Sequence, residues 1–353
     1  MANRVALILA VLGVIVAWWF STIDESTSAC RPQPIVLQGI FAQEITVDPC
    51  RVFSDSYPQA RTRFRQAAVA AGGALSVLTV EGNYTIDVTV LKGSLPGLTV
   101  HTSGVHGVEG YAGSAIQIAF LEALQSIEQD LPTVILVHAF NPVGMAHYRR
   151  TNENNVDLNR NALTAEQWQT YATNHYNRKS YSKFDKYLFN PPQAPTTWSA
   201  HGTFWVRALI GIQKHGLPTL KAAMIGGQYH KPSGIFYGGT KVERSTQLVE
   251  GFMHDFLLNH PALAVQAVTW LDVHTGLGKS GHDTIMTAPT STVWPGKDPA
   301  TECATWFPSS NSPFQAANTN AASVVQGYEK VKGVTTDYYE QQLFTAEQQV
   351  SRP

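Results

Sequence analysis

The chain has 353 residues, enough for one large α/β domain or two modest ones with a sizeable core. Lys plus Arg (25) nearly cancels Asp plus Glu (26), so overall charge gives no reason to expect nucleic acid or an anionic membrane surface as partner. A peptide or a small molecule is expected instead. Oligomeric state is not legible.

Residues 5–20 form an uninterrupted apolar run with Arg4 before it and Asp24 and Glu25 after it. With its immediate neighbours the run is long enough to reach across a bilayer, and Trp18, Trp19 and Phe20 suit an interfacial aromatic belt. A cleaved signal peptide is the rival reading, with Thr27-Ser28-Ala29 as a small-residue cleavage site before Cys30. Residues 1–22 are therefore expected to be a signal anchor or signal peptide, and 23–50 a stalk. The globular part, 51–353, is then expected outside the cytoplasm, membrane-anchored or secreted. Cys30 and Cys50 can pair in an oxidising compartment, leaving Cys303; with no Cys-x-x-Cys, a thiolate metal site is not expected.

Ser56-Tyr57-Pro58 predicts a helix start, with the helix running to about Ala71 and stopped by Gly72-Gly73. Alternating, β-branched stretches at 75–80, 84–91 and 98–102 predict strands, the first two joined by a Gly82-Asn83 hairpin turn. A helix over 114–125 and an apolar strand over 133–139 follow, the latter suited to burial on both faces. Residues 164–203 lack a clear period and read as a long surface insertion. Helices are expected over 204–214, 218–224 and 243–258, and a second buried strand over 264–273. Beyond Gly281 the prolines predict loops. This order predicts a single α/β domain whose mixed, mostly parallel sheet is flanked by helices, with ligands bound beyond the carboxyl ends of the strands.

Three polar segments leave predicted strand ends. The first, Ser103-Gly104-Val105-His106-Gly107-Val108-Glu109-Gly110, places an imidazole and a carboxylate three positions apart in a glycine-rich loop, and both donor types suit zinc. Alone, that spacing also describes a loop histidine beside a helix-start glutamate. The second, Arg149-Arg150-Thr151 with Asp157-Leu158-Asn159-Arg160-Asn161, offers forked guanidiniums and amides for carboxylates or oxyanions, and an Asp able to orient a ligating imidazole. The third, Leu271-Asp272-Val273-His274-Thr275-Gly276, ends a strand with a histidine. Together they supply the three donors that a catalytic zinc requires, with one position left open. His138 also ends a strand but lacks a neighbouring carboxylate, and reads as a packed or supporting residue. Neither His-Glu-x-x-His nor Gly-x-Ser-x-Gly occurs.

His106-x-x-Glu109, Arg149-Arg150-Thr151, Asp157-Leu158-Asn159-Arg160-Asn161 and His274, in that order, resemble the carboxypeptidase A-like zinc metallopeptidases over roughly residues 50–340. Gly227-Gln228-Tyr229 and Phe236-Tyr237-Gly238-Gly239 look like a branch that also approaches aspartoacylase and succinylglutamate desuccinylase. The resemblance implies one Zn2+ held by His106, Glu109 and His274, with Arg149 polarising the scissile carbonyl, its neighbour Arg150 being the alternative at this spacing. It also implies that Asn159 and Arg160 hold the substrate carboxylate and that Asp157 orients His106. The implied substrate is a peptide or an N-acyl amino acid, cleaved by water at an amide bond. The resemblance further implies a general-base Glu on a late strand. Glu340 and Glu347 stand instead in a polar, helical stretch, so the last strand and its Glu are expected to be missing, a loss worth about 10²–10⁴-fold in rate. A membrane-tethered binding protein with weakened catalysis is the reading that follows if so.

Overall fold

The computed structural model describes residues 35–37, 45–125, 130–190, 198–264, 268–275 and 332–344. The apolar 5–20 run, Cys30, Cys303, Glu347 and the proline-rich stretch after Gly281 lie outside them. Within the expected stalk, β1 (Ile35–Leu37) and β2 (Ile45–Val47) pair antiparallel, followed by a turn of helix at Pro49–Val52. Cys50 is disulfide-bonded, its partner lying outside the described residues.

Helix α1 (Tyr57–Ala70) leads into the hairpin β3 (Ala74–Glu81) and β4 (Tyr84–Leu91). β5 (Leu95–Ser103) and β6 (Pro132–His138) are joined through α2 (Gly110–Leu124). Next come α3 (Arg178–Phe184), α4 (Trp198–His215), α5 (Leu217–Ile225) and α6 (Arg244–Asn259). β7 (Val268–Val273) and α7 (Thr335–Leu343) complete the described chain.

The sheet order is β3-β4-β6-β5-β7. β6 and β7 both run parallel to β5, whereas β4 is antiparallel to both β3 and β6. Four of the five strands therefore point one way and β4 alone opposes them, the mixed, mostly parallel sheet that the pattern predicts.

Burial on both faces explains the apolar run of β6. Val134 and Leu136 face α1 and α2, where Phe64, Ala68, Ile118 and Leu121 cover them. Ile135 and Val137 face the opposite layer, with Val249 and Met253 of α6 and Tyr339 of α7. The period of two thus divides one strand between two cores. β7 differs from expectation: its side chains are half-buried or exposed because it forms the sheet edge among the described residues.

Residues 164–203 also differ from the expected irregular insertion. Those that are described contain α3 and the first third of α4, with π-helical turns at Trp168–Ala172 and Asp185–Phe189. Tyr181, Phe184 and Phe189 pack with Leu220 and Ala223 of α5 into a small aromatic core. Aromatic packing, rather than a regular apolar stripe, supports these turns, so the helical period is weak.

Phe64 is fully buried and its ring stacks on His138 at 4.3 Å between centroids. Phe64→Ala is expected to cost about 3–5 kcal/mol of unfolding free energy, read as a lower denaturant midpoint with an unchanged slope.

A candidate metal centre at the strand ends

The carboxyl ends of β5 and β7, and the loop that follows β6, converge. At the end of β5 the chain turns through Gly104, whose φ of +75° favours glycine, and His106 then precedes a 3₁₀ turn over Gly107–Glu109. Gly107 has to be glycine, since a Cβ there would lie 2.1 Å from the Gly144 carbonyl carbon. Gly107 and Val108 donate their backbone N–H groups to the carbonyls of Arg150 and Arg149 at 3.3 and 3.0 Å, clamping the second segment beside the first. His274 stands just past the last residue of β7, two positions from Asp272, so strand periodicity carries both to one side.

His106 Nδ1 lies 3.1 Å from Glu109 Oε1 and 3.2 Å from His274 Nδ1, while His274 Nδ1 lies 3.1 Å from Glu109 Oε2. The opposite ring nitrogens are each held by a carboxylate. His106 Nε2 is 3.1 Å from Asp157 Oδ1, and His274 Nε2 is 2.8 Å from Asp272 Oδ2. An ionised carboxylate only accepts hydrogen bonds, so both Nε2 atoms carry the proton. In the neutral rings both Nδ1 lone pairs then face each other and the Glu109 oxygens. Such a cluster is stable only around a cation, either a proton or a metal. A tetrahedral zinc with bonds of about 2.1 Å spaces its donors by roughly 3.4 Å, close to these separations. The residues therefore fit the implied metal.

Charge around the cluster is arranged to keep its donors ionised. Burial opposes ionisation of Glu109, but hydrogen bonds with His106 and His274 prevail and hold its pKa far below the usual range. Asp157 is fully buried; against that burial, the charges of Arg150, His106 and Arg160 lower its pKa strongly. Arg150 Nε donates to Asp157 Oδ2 at 2.8 Å, and the Asn159 backbone N–H donates to Oδ1 at 3.1 Å. Burial likewise opposes ionisation of Asp272, and His274 and a 2.8 Å hydrogen bond from Thr102 Oγ1 overcome it. For metal-free His274, burial opposes protonation, but Asp272 and Glu109 raise the pKa well above 6.5.

The structure brings together His106, Glu109, His274 and Asp157. It places Arg150, not Arg149, against them. The Arg150 guanidinium reaches within 3.7 Å of Glu109 Oε1 and lies 5.7 Å from the centre of the Phe236 ring. Arg149, expected to act on the carbonyl, instead donates Nη2 to the Asn152 carbonyl at 2.8 Å. Asn159 Oδ1 accepts from the Thr335 N–H at 3.1 Å. Arg160 is buried; its Nη1 donates to the Asn159 carbonyl at 2.6 Å, and its Nε has no partner among the described residues. Tyr229 and Tyr237, candidates for capping a substrate, are buried, and Tyr229 donates its hydroxyl to the Arg160 carbonyl at 2.6 Å. Glu340 lies on α7. Sequence reasoning gave no role to Asp272 or Thr102. Two positions before a histidine at a strand end, an Asp shares the histidine's side, and that spacing was the available signal.

The fold and site define an α/β protein with a mixed sheet and a His-Glu-His candidate metal centre at its strand ends. Residues 53–349 match the DUF2817 family, described as "Protein of unknown function", and the chain belongs to it. No curated protein matches the chain. Some solved structures resemble it in part. One, a "putative metallopeptidase" from Shewanella denitrificans OS217, is 21% identical over 36% of this chain and 45% of its own, with a TM-score of 0.27. A similarly described protein from Shewanella baltica OS155 is 18% identical over 56% of this chain and 60% of its own, with a TM-score of 0.24. The matched parts span less than two thirds of either structure.

Two outcomes follow for metal binding. Asp157→Asn is expected to weaken zinc affinity about 10–100-fold in chelator competition, because the amide no longer fixes the His106 tautomer. Zinc affinity is expected to fall as pH drops, by up to about tenfold per unit while His274 takes up its proton, with the loss beginning above 6.5. Calorimetry in buffers of different ionisation enthalpy reads the released proton directly. Without metal the sign for His274 reverses: its raised pKa contributes stability that is full below 6.5 and lost as pH climbs through the folded value. The depressed Glu109, Asp157 and Asp272 contribute stability above about pH 4 that is lost on acidification.

Proposed function

We propose that this protein is a zinc-dependent hydrolase of the metallocarboxypeptidase type, cleaving an amide bond next to a substrate carboxylate. The observation that carries the reading is the facing pair of imidazole Nδ1 atoms, 3.2 Å apart, beside one carboxylate, each ring held from behind by a buried Asp. Two imidazoles and a carboxylate are a donor set suited to zinc, which in an open three-donor site supplies Lewis acidity and an acidified water.

The chain's own residues divide the remaining work. Asp157 and Asp272 keep His106 and His274 in the tautomer that presents Nδ1 to the centre. Arg150 is placed to stabilise negative charge developing on a carbonyl oxygen, because its guanidinium borders Glu109 while Asp157 holds its Nε. Arg160 supports capture of a carboxylate: its buried Nε is a donor that such a group satisfies. Glu109, Asp157 and Asp272 are all engaged by imidazoles, so none of them is free to act as general base.

The purified protein is expected to carry about one zinc per chain. It should release the C-terminal residue from a short blocked peptide, lose that activity to a chelator and regain it with zinc. Release of acyl groups from N-acyl amino acids, without peptide trimming, would move the substrate class to deacylation. Protein without metal, and activity indifferent to chelation, would end the proposal. Arg150→Lys is expected to lower kcat by about 10²–10³ with zinc content retained, because the ammonium lacks the forked donors.

A further inference from the structure

The near-neutral total conceals an uneven distribution of charge. Residues 168–231 contain eight Lys and Arg but one carboxylate, Asp185, a net charge of +7, while the rest of the chain carries −8. Asp185 is already paired, with Lys231 Nζ 2.8 and 2.7 Å from its two oxygens. The other seven cations have no carboxylate within the segment.

Helix α4 runs through this basic segment with its apolar face outward. Its inner positions are modest: Ala208 is buried, Gly211 meets the Tyr187 ring, and Ile212 packs on the small aromatic core. The outer positions are Trp205, Val206, Leu209 and Ile210, which are 56%, 54%, 44% and 48% exposed. The pairs 205/209 and 206/210 have i, i+4 spacing, so the four side chains form one ridge. A helix on a water-facing surface normally turns such residues to the core. Arg207 and Lys214, seven apart, make a cationic stripe beside the ridge. At the C-terminal end of α4, partial desolvation and the positive fields of Lys214, Lys183 and Lys186 lower the His215 pKa.

The occupant of this face has to accept both apolar and cationic groups. A second copy meets the first requirement, but face-to-face association would bring two segments of net +7 together, which repel. Spanning is excluded for α4, since among the described residues no helix is long and apolar enough to cross a membrane. An anionic bilayer surface meets both requirements: tryptophan and aliphatic side chains sit at the headgroup level while Lys and Arg meet lipid phosphates. The apolar 5–20 run is an independent sequence feature suited to the same environment.

We propose that α4 is a membrane-surface helix, its Trp205–Val206–Leu209–Ile210 ridge lying in the headgroup region of an anionic bilayer and Arg207 and Lys214 contacting phosphates beside it. The test uses the full chain with vesicles of phosphatidylglycerol and brominated phosphatidylcholine, which quench nearby tryptophan emission. Comparison with Trp205→Phe isolates the exposed indole from Trp18, Trp19 and the others. The wild type is expected to lose more emission than Trp205→Phe on the mixed vesicles and not on neutral brominated vesicles. Arg207→Gln with Lys214→Gln is expected to shift the lipid midpoint of that difference by about 30-fold, at about fivefold for each cation. An absent difference, or an equal one on neutral lipid, overturns the proposal. So does a dimer in sedimentation velocity that Trp205→Ser dissociates while vesicles quench nothing at position 205, which would assign the face to a second copy.

Discussion

Three acceptors that face one another dominate the energetics of the strand ends. His106 Nδ1, His274 Nδ1 and the Glu109 carboxylate lie within about a hydrogen-bond length of each other. The two carboxylates behind the rings remove the easiest escape, which is for one ring to place its proton in the centre. Asp157 and Asp272 are ionised and hold a proton on each Nε2, so a central proton makes the ring doubly protonated. Without metal the cluster does this, at the raised pKa of His274. A divalent ion held by His106, Glu109 and His274 would take the place of that proton and supply more positive charge. The same two Asp residues therefore raise the proton affinity of the apo site and the basicity of the ligands.

Convergence depends on the fold because two of the candidate donors, at 106 and 109, share one loop while the third, at 274, lies 165 residues beyond Glu109. β5 is the hub: it pairs with β6 on one side and β7 on the other, both parallel, so the ends of all three strands emerge together. Parallel pairing requires long crossovers, and these bring in the 149–160 loop as a third wall. That loop is tied down at several points. The Gly107 and Val108 amides hold its start, and buried Glu243, at the head of α6, accepts from Asn152 and Asn154 at 2.8 and 2.7 Å. α7 closes the arrangement from the other layer, through the Thr335 bond to Asn159 and the stack of Tyr339 on Trp270 at 4.8 Å.

How much of this was legible in the sequence depended on the type of signal. Strict two-residue alternation located β3 and β4, and a continuous apolar run located β6, because those strands have a well-defined core on one or both faces. Helix α2 begins at Gly110, four residues earlier than the pattern implied, because its first turn is specified by close contact with neighbouring backbone rather than by apolar spacing. The candidate donors could be picked out as an ordered set, since chemistry limits which residue types are useful, and the structure brings them to one point. The choice between Arg149 and Arg150 was not. Neighbours in an irregular loop point apart, and only the clamp on the Gly107 and Val108 amides decides which guanidinium faces Glu109. The charge of residues 168–231 was readable by counting, but a whole-chain sum cancels it.

A second histidine cluster shows why residue type alone does not make a site. His138, also at a strand end, has Ser114 Oγ 2.9 Å from its Nε2 and feels the charge of Asp87, a Ser-His-Asp grouping on paper. Every member is buried. Asp87 is bound by Arg65 through two hydrogen bonds, and burial first, with Arg65 and Arg61 adding to it, lowers the His138 pKa to about 4. That imidazole stays neutral, packs against Phe64 and serves the core. At His106 and His274 the arrangement differs: a carboxylate accepts directly from the Nε2 of each ring, acceptors face inward, and the His274 side chain remains 29% exposed. What separates the packed histidine from the two candidate metal ligands is the direction of the free lone pair and whether a cation can reach it.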